Sequence, residues 1–170
     1  MPCTLPAVLA DAAVCRGSFH AVLRTDVPDT VFSAFSAALQ KAQADGSLLT
    51  ASLFRCESHL FFYAEGLNRP FTPQGLCPAL DAALLPWPPA LGETSPRPWA
   101  AMQPYFYHDI PTTAADWQQG RCPQRRRGRI ALLPPDKWCS YMEHHLRIVT
   151  EGLVEGDRWH LICVQEGVLF

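Results

Sequence analysis

The chain has no excess of positive charge. Fourteen Lys and Arg stand against sixteen Asp and Glu, a formal net charge of −2 over 170 residues. Binding to nucleic acid phosphates or to an anionic membrane draws on a surplus of Lys and Arg, so neither partner is expected. No apolar run approaches the roughly 20 residues that a bilayer span needs, and membrane insertion is not expected either. The seven cysteines, Cys3, Cys15, Cys56, Cys77, Cys122, Cys139 and Cys163, include no CxxC pair, which argues against a zinc ribbon and a thioredoxin-type site. Scattered in this way they read as small apolar fillers in a reducing compartment. The segment from Met1 to Cys15 lacks a basic start and is interrupted by Asp11, so it is a poor secretion signal and a cytoplasmic protein is expected. There is no P-loop, no GxGxxG and no HExxH.

Apolar residues and proline are abundant. Hydrophobic residues make up 48% and charged residues 18%, enough apolar surface to offset the chain entropy of folding. Sixteen prolines are about twice ordinary usage and predict stiff connections and few long helices, which disfavours a helical bundle. The length suits one ordinary domain or two small ones. Basic residues cluster once: Arg121, Arg125, Arg126, Arg127 and Arg129 fall within nine positions. The cluster reads as a solvated linker with a basic strand entry. A polyanion patch is the alternative, disfavoured because no aromatics are interleaved to stack on bases.

The chain also repeats itself. Pro28–Ala38 aligns with Pro135–His145, and each copy follows a strand-like apolar run, Phe19–Leu23 in the first and Ile130–Leu133 in the second. Each Pro-Asp pair suits a helix start. Val31, Phe35, Ala38 and Ala42 share one face of the first helix; Trp138, Tyr141, Met142, His145, Ile148 and Val149 share one face of the second. Gly46 and Gly152 are the predicted stops. Strands are predicted after each helix over Leu48–Arg55 and Arg158–Gln165, followed by the related segments Glu57–Phe61 and Glu166–Phe170. The first copy continues with a strand over His59–Ala64, a short helix over Leu76–Leu85, a proline-rich excursion over Pro86–Pro98 and a strand over Ala101–His108.

The expected fold is therefore α+β. A ferredoxin-like βαββαβ unit over 15–112 is joined by a linker over 113–126 to a second, incomplete βαβ repeat over 127–170, in a tandem α+β barrel-like arrangement. Val168–Phe170 is expected to tuck into a sheet as a short edge strand or to pair with another chain, which admits a homodimer.

The aligned helices differ where chemistry could sit. Tyr141 stands opposite Ala34 and His145 opposite Ala38, four residues apart and thus on one helix face. Spacing alone allows two readings: a satisfied core histidine with a packing tyrosine, or a phenol and an imidazole lining a cleft. An imidazole can give and take a proton near neutral pH. His144, about 100° round the helix, is expected to face solvent and to form no two-His metal face with His145. Cys139 is not expected to partner His145 as a nucleophile, and His108–Asp109 reads as structural. Tyr105, Phe106 and Tyr107 alternate along a strand, with at least one in the core.

The stretch Arg129–Phe170, with its strand, Pro135, Tyr141 six positions on and His145 four further, resembles the L-rhamnose mutarotase family of the dimeric α+β barrel superfamily. Trp87 beside a proline-rich loop, then Trp99, Met102 and Tyr105–Asp109, resemble the later part of the same family. The resemblance implies interconversion of sugar anomers, with His145 as catalytic acid/base, Tyr141 holding a sugar hydroxyl and Trp87 or Trp99 stacking on the pyranose, without a cofactor. The chain departs from that pattern in splitting it: the tryptophans belong to the first copy, Tyr141 and His145 to the second. The halves then build one composite site, or the site is degenerate and the chain is a non-catalytic barrel that binds a small ligand or a protein partner. A monooxygenase or haem-binding role, known elsewhere in the superfamily, is a third reading.

Overall fold

A computed structural model describes residues 11–109, 111–120, 126–152 and 160–170; Arg121, Cys122, Arg125, Cys3 and the start of the strand expected from Arg158 lie outside them. Among the described residues the protein is α+β, with two antiparallel four-stranded sheets and four helices. The described residues within 1–101 and 111–126 form one compact unit, and those within 102–110 and 127–170 form another.

The first unit runs β1 (Val14–Val22), α1 (Asp29–Ala44), β2 (Leu48–Cys56), β3 (His59–Leu67), α2 (Pro78–Ala82) and β4 (Ala100–Ala101). Its sheet order is β2-β3-β1-β4, every pairing antiparallel. β3 is central, and its composition fits: Leu60, Phe62 and Ala64 alternate with Phe61, Tyr63 and Glu65, and all six are buried. Leu60, Phe62 and Ala64 join Ala21 of β1, Leu23 just beyond it, Phe35 and Ala42 of α1 and Leu80 of α2 in one core. Phe35 meets Phe62 edge-on at 5.7 Å between ring centres. Pro28 caps α1 in extended backbone, and Gly46, at φ 80°, ends it by donating its N–H to the Gln43 carbonyl.

The opposite face of β3 carries a buried charge. Glu65 is fully buried, and a carboxylate there needs donors. It accepts from the Tyr63 hydroxyl, from Trp117 Nε1 at 2.7 Å and from Arg16 Nε at 3.4 Å. Trp117 belongs to α3 (Ala114–Gly120), within the stretch 113–126 expected as a linker. Ala114–Gly120 is helical where Trp117, 5% exposed, meets a buried acceptor that no local pattern reveals.

The second unit comprises β5 (Gln103–Tyr107), β6 (Ala131–Leu132), α4 (Trp138–Thr150), β7 (Leu161–Gln165) and β8 (Val168–Leu169), in the sheet order β5-β7-β8-β6. A 3-10 turn over Pro135–Lys137 leads into α4, and Gly152, at φ 66°, follows its end. Two-residue turns at 57–58 and 166–167 join the paired strands of each sheet. The strand expected over Ala101–His108 is divided: Ala101 pairs with Phe19 of β1, whereas Gln103 pairs with Val164 of β7, with Met102 between them. β5 thus serves the second sheet, and the described residues of 102–110 group with the second unit while those of 111–126 group with the first. β8 is not an edge strand. It lies between β7 and β6, and Phe170 exchanges both backbone hydrogen bonds with Cys163.

The buried faces of the two helices also differ from the alignment. Phe35 is 1% exposed, whereas its counterpart Met142 is 46% exposed and Val149 is 49% exposed. Trp138, Tyr141, His145 and Ile148 form the half-buried side of α4 instead. Ala34, opposite Tyr141, faces solvent.

Phe62 is fully buried among Phe35, Phe71 and Trp99, so Phe62→Ala is expected to cost about 3–5 kcal/mol in urea unfolding. Met142→Ala, at an exposed position, is expected to change stability by less than about 0.5 kcal/mol.

Candidate functional site

In the second unit, α4 places Tyr141 and His145 one turn apart with ring centres 4.2 Å from each other. His145 Nδ1 lies 3.0 Å from the carbonyl oxygen of Tyr141. A carbonyl only accepts, so Nδ1 carries the hydrogen and the neutral ring keeps its lone pair at Nε2. The helix backbone itself therefore selects the tautomer and turns Nε2 into the proton acceptor.

The opposite wall comes from β5. Its pairing with β7 is regular through Pro104 and resumes at Phe106, which leaves Tyr105 as an extra residue in the ladder. Strict alternation would send Tyr105 and Phe106 to opposite faces. With the bulge both rings reach His145, Phe106 at 5.1 Å and Tyr105 at 5.8 Å, each steeply tilted to the imidazole. Tyr105 also stacks on Tyr141 at 5.8 Å. Phe106 is buried with Leu133, Ile162 and Leu169, while Tyr105, Trp138 and Tyr141 pack half-exposed against that cluster. His144 is exposed, as expected, and its ring stands perpendicular to that of His145. Cys139 is exposed as well.

Burial raises the pKa of the Tyr141 phenol above its ordinary 10.0. Tyr105 is raised for the same reason, with the neighbouring Tyr141 adding to it. Both phenols are protonated at neutral pH and can donate as well as accept hydrogen bonds. The site thus offers one base with a fixed tautomer and two hydroxyls beside it. A groove of about 410 Å³ lies at the start of α4, lined by Leu132–Pro135, Trp138 and Glu166–Gly167. Neither Tyr141 nor His145 lines it.

The tryptophans expected at the site lie in the first unit. Trp99 is 2% exposed, its ring faces taken up by Phe35 and Phe62 and its indole N–H donated to Asp81 at 2.9 Å. A side chain sealed in this way packs the core and has no face left for a sugar. Trp87 pairs with Arg97 across the proline-rich loop through two backbone hydrogen bonds, at 2.8 and 3.2 Å. Its ring lies 5.2 Å from that of His20, and its Nε1 is buried without a hydrogen-bond partner.

His20 belongs to a pair that the sequence does not reveal. The register sets His20 opposite Phe61 and Val22 opposite His59, which makes the histidines diagonal neighbours. His20 Nε2 and His59 Nδ1 are 2.8 Å apart, and His20 lies flat on Phe61 at 4.7 Å. One nitrogen must donate and the other accept, so the contact is lost if both rings are doubly protonated. Tyr105 and the His20–His59 pair could be found only once a bulge and a strand register were known. Among the described residues no group of three or more His, Cys, Asp or Glu is placed to hold a metal ion.

No family model, curated protein or solved structure matches the chain.

The raised phenols have a consequence for stability. A group that holds its proton more tightly when folded stabilises fully below its unfolded pKa and loses that contribution as pH climbs through the folded value. Ultraviolet titration at 295 nm is expected to show the Tyr141 and Tyr105 phenols ionising above pH 10.0 in the folded protein, with Tyr141→Phe and Tyr105→Phe each removing its own transition and lessening the alkaline loss of stability.

Proposed function

We propose that the chain is a mutarotase-like protein that interconverts the anomers of a small sugar at the His145 face of α4. The observation that carries this reading is the 3.0 Å contact from His145 Nδ1 to the Tyr141 carbonyl, which leaves Nε2 as a base beside two protonated phenols. The fold proposed with it is a tandem of ferredoxin-like halves. The order β2-β3-β1-β4 supports this for the first unit, and the antiparallel order β7-β8-β6 repeats the same second-third-first arrangement in the other.

Anomer exchange makes modest demands. Nε2 takes the proton of the anomeric hydroxyl as its oxygen becomes the aldehyde carbonyl, and the electron pair of the C1–O5 bond passes to the ring oxygen. The imidazolium returns its proton to that oxygen. The aldehyde rotates about C1–C2, and the reverse steps close the ring with the other configuration, so nothing is gained or lost overall. Tyr141 and Tyr105 donate to sugar hydroxyls and hold the opened chain close to the imidazole.

The burial of Trp99 favours a second reading, a non-catalytic protein that binds a small polar ligand, because the expected stacking surface is already occupied. Saturation-transfer NMR on a panel of deoxy-aldoses separates the two. Catalysis predicts exchange faster than in buffer, and His145→Gln is expected to lower the enhancement by about 10²–10⁴-fold while leaving the circular dichroism unchanged. Exchange no faster than in buffer, with a sugar still perturbing the Tyr141 resonances, selects the binding protein.

A further inference from the structure

The face of the first sheet that carries Glu65 holds an unmatched donor. Arg16, on β1, spends its Nε on the Tyr63 hydroxyl at 3.0 Å and on Glu65 at 3.4 Å. Its side chain is only 11% exposed, and both terminal nitrogens, Nη1 and Nη2, are buried without a hydrogen-bond partner. A guanidinium cannot shed its charge by deprotonating, so burying four N–H bonds in this way is costly unless an acceptor meets them. Glu65 does not serve as that acceptor. Its contact is with Nε, and it already takes donors from Tyr63 and Trp117.

The surroundings extend the donor surface. Tyr63 stands between two guanidinium groups, with Arg16 Cζ 5.9 Å and Arg126 Cζ 5.3 Å from its ring centre. Arg126 Nη1 donates to Ser52 Oγ at 3.1 Å, and Ser52 is the register partner of Tyr63 on β2. On the other side Ser18 of β1 faces Tyr63 in register and is 6% exposed.

We propose that this face binds a small monoanionic carboxylate, held end-on by Nη1 and Nη2 of Arg16 with Arg126 beside it. The two Nη groups form a planar fork, and a carboxylate offers two coplanar oxygens at the matching spacing. A carboxylate places both its oxygens and its single charge on the fork, whereas a phosphate dianion carries a further oxygen and a second charge that the fork does not meet. The site is independent of His145 and of any reaction there.

Calorimetric titration and thermal unfolding of the full chain test the proposal, with sodium acetate, benzoate and inorganic phosphate as probes at an ionic strength held constant with sodium chloride. Acetate or benzoate is expected to bind saturably and to raise the melting temperature, as a ligand selective for the folded state must. Arg16→Lys keeps the charge but loses the fork, and is expected to weaken carboxylate binding at least about tenfold. If that variant does not fold, Arg126→Gln, a change at a half-exposed side chain, takes its place and is expected to weaken binding about threefold or more. No saturable effect beyond that of chloride, phosphate binding as tightly as the carboxylates, or a folded variant binding like the wild type would each overturn the proposal.

Discussion

A carboxylate with no access to water organises the back of the first sheet. Glu65 sits on the central strand, and the cost of burying its charge is met only if several donors converge on it. Tyr63 supplies one from two residues away on the same strand, Arg16 another from β1, and Trp117 a third from a helix 52 residues further along. The Trp117 contact joins α3 to the sheet, and the Arg16 contact fixes the guanidinium in an orientation that leaves its terminal nitrogens unmet. The same electrostatic requirement thus shapes the fold and creates the donor surface. An apolar residue at position 65 would remove the need for both.

The second unit is held differently. It has few buried side chains, and no residue of α4 is fully buried. Its cohesion comes from a short aromatic cluster in which a bulge in β5 turns two consecutive rings toward one histidine. Loose burial leaves the imidazole half-exposed while the Tyr141 carbonyl of its own helix takes up Nδ1. By contrast, the first unit has its aromatic residues interlocked, and Trp99 has become part of that packing. The contrast in packing between the two units follows from where the large buried apolar side chains are concentrated.

Much of this was legible in the residue pattern. The alternation in β1 to β3, the Pro-Asp starts and glycine stops of α1 and α4, and the duplication of strand, helix and hairpin are all local signals, and the corresponding elements lie where those signals put them. Tyr141 and His145 were legible as neighbours because four-residue spacing on a helix fixes their relation without further information. The strand around Ala101 was not: a run from Ala101 to His108 looks continuous, and only hydrogen-bond partners remote in the chain decide that Met102 separates two sheets. The helix at Ala114 was hidden for a similar reason, since its stability comes from a tryptophan finding a distant acid.

The sequence by itself determined periodicity: where α1 and α4 and the hairpins β2–β3 and β7–β8 run, and that residues four apart on a helix stand side by side. Tertiary structure decided everything that depends on pairing across distance, namely the register that joins His20 to His59, the bulge that brings Tyr105 to His145 and the convergence of Arg16, Tyr63 and Trp117 on Glu65. The physical reason is range. Backbone geometry repeats over two to four residues and leaves its mark on composition, whereas a buried charge or a strand edge is satisfied by whichever partner the whole fold delivers, and no local pattern specifies that partner.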